Sequence, residues 1–312
     1  MHDTLLLLED CAPQVWGMLR DSGLSIKTLE DDQLDRSSVS HLFTKLNFHI
    51  DEKFLEGYQN LKSVVTPTTA INHIDSNYCS RKGIEIISLR DTNDVLENFS
   101  STSEIATWIM LSLSRVAIQA SADVKSGSWS RNQFIGNTLR GKNVGIVGYG
   151  RLGKQFSQIC ASFGMKIFAY DLLEKSDGSV IFLKSLKELV GTSDFVSLHV
   201  DDRAQNQNLI NADLLSHFRS NGILINTSRG FIVDENAVVD AVRNNNLKAY
   251  GTDVLSGEHG ENSDWLRNNE IWRAFQSGDP RFLILPHIGG AVQENIPTAE
   301  MAVLKILVER FH

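Results

Sequence analysis

Four short stretches hold residues that could do chemistry. Asn226-Thr227-Ser228-Arg229-Gly230 follows the apolar run Gly222–Ile225, and Asp253 follows Ala249–Thr252, with Glu258 five residues on. Pro286-His287-Ile288-Gly289-Gly290 follows Phe282–Leu285, and Gly148-Tyr149-Gly150-Arg151-Leu152-Gly153 follows Lys142–Val147. A guanidinium can grip a carboxylate with two parallel hydrogen bonds. An imidazole can give or take a proton near neutrality. Singly, such an Arg is usually a surface residue, such a Glu is solvated, and a His after Pro sits in a turn. Here all of them follow short apolar runs. Open parallel sheets bind ligands beyond the carboxyl ends of their strands, so an Arg, an acid and a His could meet above one sheet edge.

The glycine stretch has GxGxxG spacing in a strand–turn–helix context, with the helix expected to reach about Phe163. Gly148 would permit the tight turn, Gly150 the approach of a pyrophosphate, and Gly153 close helix–strand packing. N–H groups near Arg151 and Leu152 would face the phosphates. The next strand, Lys166–Tyr170, ends in Asp171. A carboxylate there can accept hydrogen bonds from the ribose hydroxyls and would repel a 2′-phosphate, which favours NAD over NADP.

The elements that must position these residues alternate between short apolar runs and amphipathic stretches, the pattern of an α/β protein with parallel sheets. In the first third, strands are expected at Thr4–Leu8, Leu24–Leu29, Leu42–Leu46, Leu61–Thr66 and Ile84–Ser88, with helices such as Gln14–Arg20 and His73–Arg81 between them. Ser101 and Glu104 fit a capping box. A helix from about Thr102 to Val124 should follow, apolar on several faces and therefore buried between domains or subunits. From Asn143 to about Ile288 strand–helix units recur, and Ala291–Phe311 reads as a last helix.

The 312 residues suffice for two domains, and 42% hydrophobic with 22% charged residues lets each bury a core. A net charge of −8 argues against a broad nucleic-acid or anionic-membrane surface. Cys11, Cys79 and Cys160 are scattered and lack CxxC spacing, as expected of reduced, buried thiols in a cytoplasmic protein, and no metal-ligand cluster is evident. Leu5–Leu8 between acids reads as a buried strand, not a signal peptide.

The glycine motif, Asp171, Asn-Thr-Ser-Arg-Gly, Asp253 with Glu258, and Pro-His-Ile-Gly-Gly together resemble the D-isomer-specific 2-hydroxyacid dehydrogenases, a family that includes phosphoglycerate and D-lactate dehydrogenases and hydroxypyruvate reductases. The resemblance covers nearly the whole chain and is strongest from Ser101 to Ala291. Thr68-Thr69-Ala70-Ile71-Asn72-His73-Ile74-Asp75 resembles the family's substrate loop. The resemblance implies two doubly wound parallel-sheet domains. A Rossmann NAD-binding domain, residues 101–289, would be inserted in a flavodoxin-like substrate domain, residues 1–100 with 290–312. It also implies a homodimer formed through the helix near 102–124.

The implied activity is hydride transfer between NAD(H) and C2 of a small 2-hydroxy or 2-oxo acid. Arg229 would pair with the substrate carboxylate, His287 would be the acid/base, and Glu258 would orient its ring. Asp253 would accept from the nicotinamide carboxamide, Thr227, Ser228 and Gly290 would line that end of the cofactor, and His199 would approach it as backbone. Thr68, Thr69 and Ala70 would touch substrate, unless the threonines merely cap the next helix. The family often has Gly where Ala70 stands and Pro where His259 follows Glu258. His259 is a minor rival to His287. The stretch after it, with Trp265, Trp272 and Phe275, could cover the site or pack on another subunit. A phosphorylated substrate would need cations near the Thr68 loop. Arg81, Lys82 and Arg90 are nearest in sequence, and the reading leans toward an unphosphorylated acid. The rival functions are a formate- or phosphite-type dehydrogenase and an NAD(H)-sensing, corepressor-like binding protein of the same fold.

Overall fold

The computed structural model describes residues 3–31, 34–173, 178–258 and 264–311. His259 lies outside them. The chain divides into two compact units: one holds the chain up to Phe99 and from Gly290 on, the other Ser100–Glu258 and the later residues up to Gly289.

The first unit is a parallel sheet ordered β2-β1-β3-β4-β5. Its strands are β1 (Thr4–Leu7), β2 (Ser25–Thr28), β3 (His41–Phe43), β4 (Ser63–Thr66) and β5 (Glu85–Ser88). β1 shows why an unbroken leucine run makes a strand here. Leu5 and Leu7 face one core cluster, Leu6 and Leu8 the other, so both faces are covered. The C-terminal helix, Asn295–Phe311, adds Val303, Leu304 and Leu307 to the first of these clusters. It starts a turn later than the sequence suggested.

The second unit is a parallel sheet ordered β12-β11-β10-β9-β6-β7-β8. Its strands are β6 (Asn143–Val147), β7 (Lys166–Tyr170), β8 (Ile181–Phe182), β9 (Phe195–Leu198), β10 (Ile223–Asn226), β11 (Ala249–Thr252) and β12 (Phe282–Ile284). The order reverses at β6, the switch point where open α/β sheets bind ligands. Sequence periodicity missed β8, which is two residues long.

The long helix expected at 102–124 is two helices, Ser101–Arg115 and Ala117–Lys125, broken at Val116, whose φ is 53°. The first lies on the second unit's own sheet, which accounts for its apolar faces. A Cβ on Gly251 of β11 would come within 2.2 Å of Ile109. The second helix buries none of its residues, so packing gives it no reason to continue the first direction. The expected capping box does not form: the helix begins at Ser101 with Ser100 as its N-cap, and the Ser100 hydroxyl donates to the Glu104 carboxylate rather than accepting a backbone N–H.

Candidate active site

β10, β11 and β12 are adjacent, so the segments after them emerge side by side at one sheet edge. At the end of β10, Asn226 folds its side chain over the loop that follows. Its Oδ1 accepts from Ser228 N–H at 3.0 Å, and its Nδ2 donates to the Arg229 carbonyl at 2.9 Å. Ser228 Oγ donates to the Leu198 carbonyl, anchoring the loop to β9. Arg229 Nη1 donates to the Ser228 carbonyl at 2.5 Å. Gly230 is required where it stands, because a Cβ there would lie 2.1 Å from Leu255 C.

After β11, Asp253 is 1% exposed and braces the histidine loop. Its carboxylate accepts from Ile288 N–H at 2.9 Å and Gly289 N–H at 2.7 Å, and its carbonyl accepts from His287 N–H at 2.9 Å. Burial pushes this carboxyl above its usual range, against the pull of the two N–H donors. Held this way, His287 adopts φ 53°, a conformation uncommon outside glycine and a local strain that the three hydrogen bonds sustain. Its Nδ1 lies 3.0 Å from Glu258 Oε1, both side chains being largely shielded. The second unit therefore brings guanidinium, carboxylate and imidazole to the ends of neighbouring strands. Thr68, Thr69, Ala70 and Gly290 fall in the first unit.

At the switch point, Gly148 has φ 90°, and a Cβ on it would lie 2.5 Å from the His199 carbonyl oxygen. A Cβ on Gly153 would meet the Gly148 carbonyl at 2.2 Å, whereas nothing lies within 4 Å of that position on Gly150. Gly150 caps the helix Arg151–Ser162 and presents an open face at its N-terminus. Asp171 accepts from Tyr149 N–H at 2.7 Å and from Leu173 N–H at 2.8 Å. Each oxygen keeps a lone pair for a further donor.

Residues 107–289 match the family model described as "D-isomer specific 2-hydroxyacid dehydrogenase, NAD binding domain". The chain belongs to the D-isomer-specific 2-hydroxyacid dehydrogenase family. Among curated relatives, it is 31% identical over 270 residues to the glyoxylate reductase of Thermococcus litoralis, covering 82% of this chain and 76% of that one. It is also 31% identical over 276 residues to the D-3-phosphoglycerate dehydrogenase of Haemophilus influenzae, covering 86% of this chain and 65% of that one. The chain thus spans just under two thirds of the length of the phosphoglycerate dehydrogenases it matches. Among solved structures, Aquifex aeolicus D-lactate dehydrogenase complexed with NAD and lactic acid superposes with TM-score 0.83 at 24% identity, covering 98% of this chain and 96% of that one. This likeness places a Rossmann-type unit inserted in a flavodoxin-like one.

The second unit is therefore the family's NAD-binding domain, and its residues fit that cofactor. Gly150 leaves room above a helix N-terminus, and the buried Thr227 Oγ1 has no hydrogen-bond partner among the described residues. His199 lies with its ring against Phe156 and its Nε2 2.9 Å from Ser197 Oγ. Burial pulls that ring down to about 3, so it is neutral, and the part of His199 turned to the glycine loop is its carbonyl.

In the first unit, the Thr68 hydroxyl donates to the Ala70 carbonyl at 2.6 Å and pairs with Thr66 Oγ1 at 2.9 Å. The threonines do not cap the next helix, Ser76–Lys82, because Asp75 does so through Tyr78 N–H. Ala70 has no positive φ, so its methyl sits there without backbone strain. Arg81 and Lys82 end that helix and stand at the amino pole of the sheet with their charges over Tyr78. The cations following carboxyl strand ends are Arg90, after β5, and Lys45, after β3. Sequence reasoning passed over Lys45. It is paired at 2.7 Å with the buried Glu300, a partner 255 residues away that no local pattern could reveal. All three cysteines are buried, and burial pushes the Cys11, Cys79 and Cys160 thiols up to about 12, 11 and 12.

Proposed function

We propose that this chain is an NAD-dependent dehydrogenase that interconverts a small D-2-hydroxy acid and its 2-oxo acid. The observation that carries the reading is the Glu258–His287 approach of 3.0 Å, at the sheet edge that also presents Arg229. NAD(H), when bound, supplies or accepts the hydride at C2. Arg229 pairs with the substrate carboxylate and reaches the C2 oxygen. His287 delivers a proton to that oxygen in reduction and takes it back in oxidation. Glu258 orients the ring, so that its other nitrogen faces substrate. Asp253 keeps the His287 loop in place and offers its remaining lone pairs to the carboxamide. Thr227, Ser228 and Gly290 are assigned to the nicotinamide end. Gly148, Gly150, Arg151, Leu152 and Gly153 are assigned to the pyrophosphate. His199 approaches the cofactor through its backbone.

Within the first unit, which is the proposed substrate domain, Thr68, Thr69 and Ala70 form the substrate loop. Of the two cations at the carboxyl strand ends there, Lys45 is already paired with Glu300, which supports an unphosphorylated acid. Buried, reduced thiols suit the cytoplasm. The deciding experiment is NADH oxidation with a panel of 2-oxo acids: glyoxylate, hydroxypyruvate, pyruvate, phenylpyruvate, 2-oxoglutarate and 3-phosphohydroxypyruvate. Turnover of at least one is expected. Clear NADH binding without any turnover would leave only a binding protein.

Asp171 is assigned to the adenosine ribose. Asp171→Ser should reduce the preference for NADH over NADPH by about tenfold or more, since a hydrogen bond to a charged acceptor contributes ~1.5–3 kcal/mol. Fluorescence titration with both coenzymes reads this directly, and an unchanged ratio would remove Asp171 from the ribose.

We also propose a homodimer. Ile118 (42% exposed), Val124 (50%), Trp129 (85%) and Ile135 (81%) lie within one stretch that follows the break at Val116. Such a run of exposed large apolar residues marks an interaction surface. Sedimentation should give twice the 34.8 kDa chain mass. Trp129→Glu with Ile135→Glu should give the monomer, and a monomeric wild type would overturn the assignment.

A further inference from the structure

Glu235 opens the helix Glu235–Arg243 on the flank of the β11 loop, and neither its motif position nor the proposed mechanism gives it a task. Its Oε1 accepts from Ser256 N–H at 2.9 Å, and its Oε2 from Asn269 Nδ2 at 2.5 Å. Ser256 lies two residues before Glu258, in the turn that carries it. Asn269 caps the helix Glu270–Gln276 by accepting from Trp272 N–H with Oδ1, so its amide cannot flip and its Nδ2 must find an acceptor. The other side of the turn is closed by Gly230, where a Cβ would lie 2.2 Å from Ser256 N. The turn is thus clamped between the Arg229 loop and one carboxylate.

We propose that Glu235 is a positioning residue, which holds the Leu255–Glu258 turn so that Glu258 meets His287. The proposal rests on the dehydrogenase reading for its kinetic consequence but not for its geometry. The titratable groups that bear on Glu235 are Glu258, on the turn, and Tyr250, fully buried on β11. The residues that donate to it, Ser256 and Asn269, are neutral. Burial, with the neighbouring Glu258 charge adding to it, pushes the Glu235 carboxyl up to about 7. Both of its charge states are therefore populated near neutrality, and the Ser256 N–H can be accepted in either.

The test compares wild type, Glu235→Ala, Glu235→Gln, Glu258→Gln and the double variant Glu235→Ala/Glu258→Gln. A displacement of about 1 Å can cost on the order of 10²-fold in rate. Glu235→Ala should therefore lower kcat by about 10- to 100-fold, with the NADH dissociation constant within about threefold. Glu235→Gln should recover only part of the rate, because its amide oxygen still accepts from Ser256 while its NH2 cannot accept from Asn269 Nδ2. In the Glu258→Gln background the alanine should cost less than about threefold, because sites acting through one contact are not additive. An equal cost in both backgrounds, no change in kcat, or a parallel loss of NADH affinity would overturn the proposal. Asn269→Ser, which keeps a capping oxygen and removes the amide donor, gives the same comparison should Glu235→Ala not fold. Without substrate, the His287 ring resonances should shift in Glu235→Ala, and should not differ between Glu258→Gln and the double variant. Unmoved resonances in Glu235→Ala would sink the positioning role even in an active enzyme. Moved resonances in a protein that reduces no 2-oxo acid would sustain it while the dehydrogenase reading fell.

Discussion

Replacing His287 with alanine is expected to lower kcat for 2-oxo acid reduction by about 10²–10⁴-fold, the range for loss of a positioned general acid. NADH affinity should stay within about threefold, because the glycine loop and Asp171 lie at the switch point, away from β12. Both side chains are mostly shielded, so bulk water cannot easily stand in for the imidazole. Alanine at φ 53° carries its own backbone strain, which could cost stability. His287→Asn is the cleaner companion, since asparagine tolerates the left-handed region and cannot transfer the proton. Both variants should lose rate alike while melting differently. Activity within about tenfold of wild type in His287→Asn would take the proton role away from this residue.

Arg229→Ala should lower kcat by at least about 10²-fold and raise KM for the 2-oxo acid, with the NADH dissociation constant unchanged. An oriented donor at the developing charge on C2 oxygen is worth ~3–4 kcal/mol, and the substrate carboxylate loses its partner as well. Arg229→Lys should recover little, because an ammonium cannot present two parallel donors. The loop itself should survive, since Asn226 and Ser228 hold it through bonds that do not involve the guanidinium. Weakened NADH binding with an unchanged KM would move Arg229 to the cofactor side.

Much of the architecture was legible because parallel strands are covered on both faces. Leu5–Leu8 and Ile223–Ile225 therefore stand out as continuous apolar runs wherever helices sandwich a sheet. The glycine spacing was legible because each position meets a steric limit: a Cβ on Gly148 or Gly153 would collide with backbone. So was the clustering of Arg229, Glu258 and His287 after short strands, since function concentrates at carboxyl strand ends. Long-range packing decided the rest. Val116 breaks a helix whose local pattern runs on: the first half buries its apolar face, and the second buries none of its residues. Lys45 is claimed by Glu300 from the far end of the chain, and Arg81 and Lys82, near the Thr68 loop in sequence, stand at the opposite pole of the sheet. Asp253 spends its carboxylate first on the histidine loop, and Glu235 finds its partners in Ser256 and Asn269, 21 and 34 residues away. Residue type and spacing determine which strands form and which chemistry is available. Which charge is left to act depends on partners that only the folded chain brings within hydrogen-bonding distance.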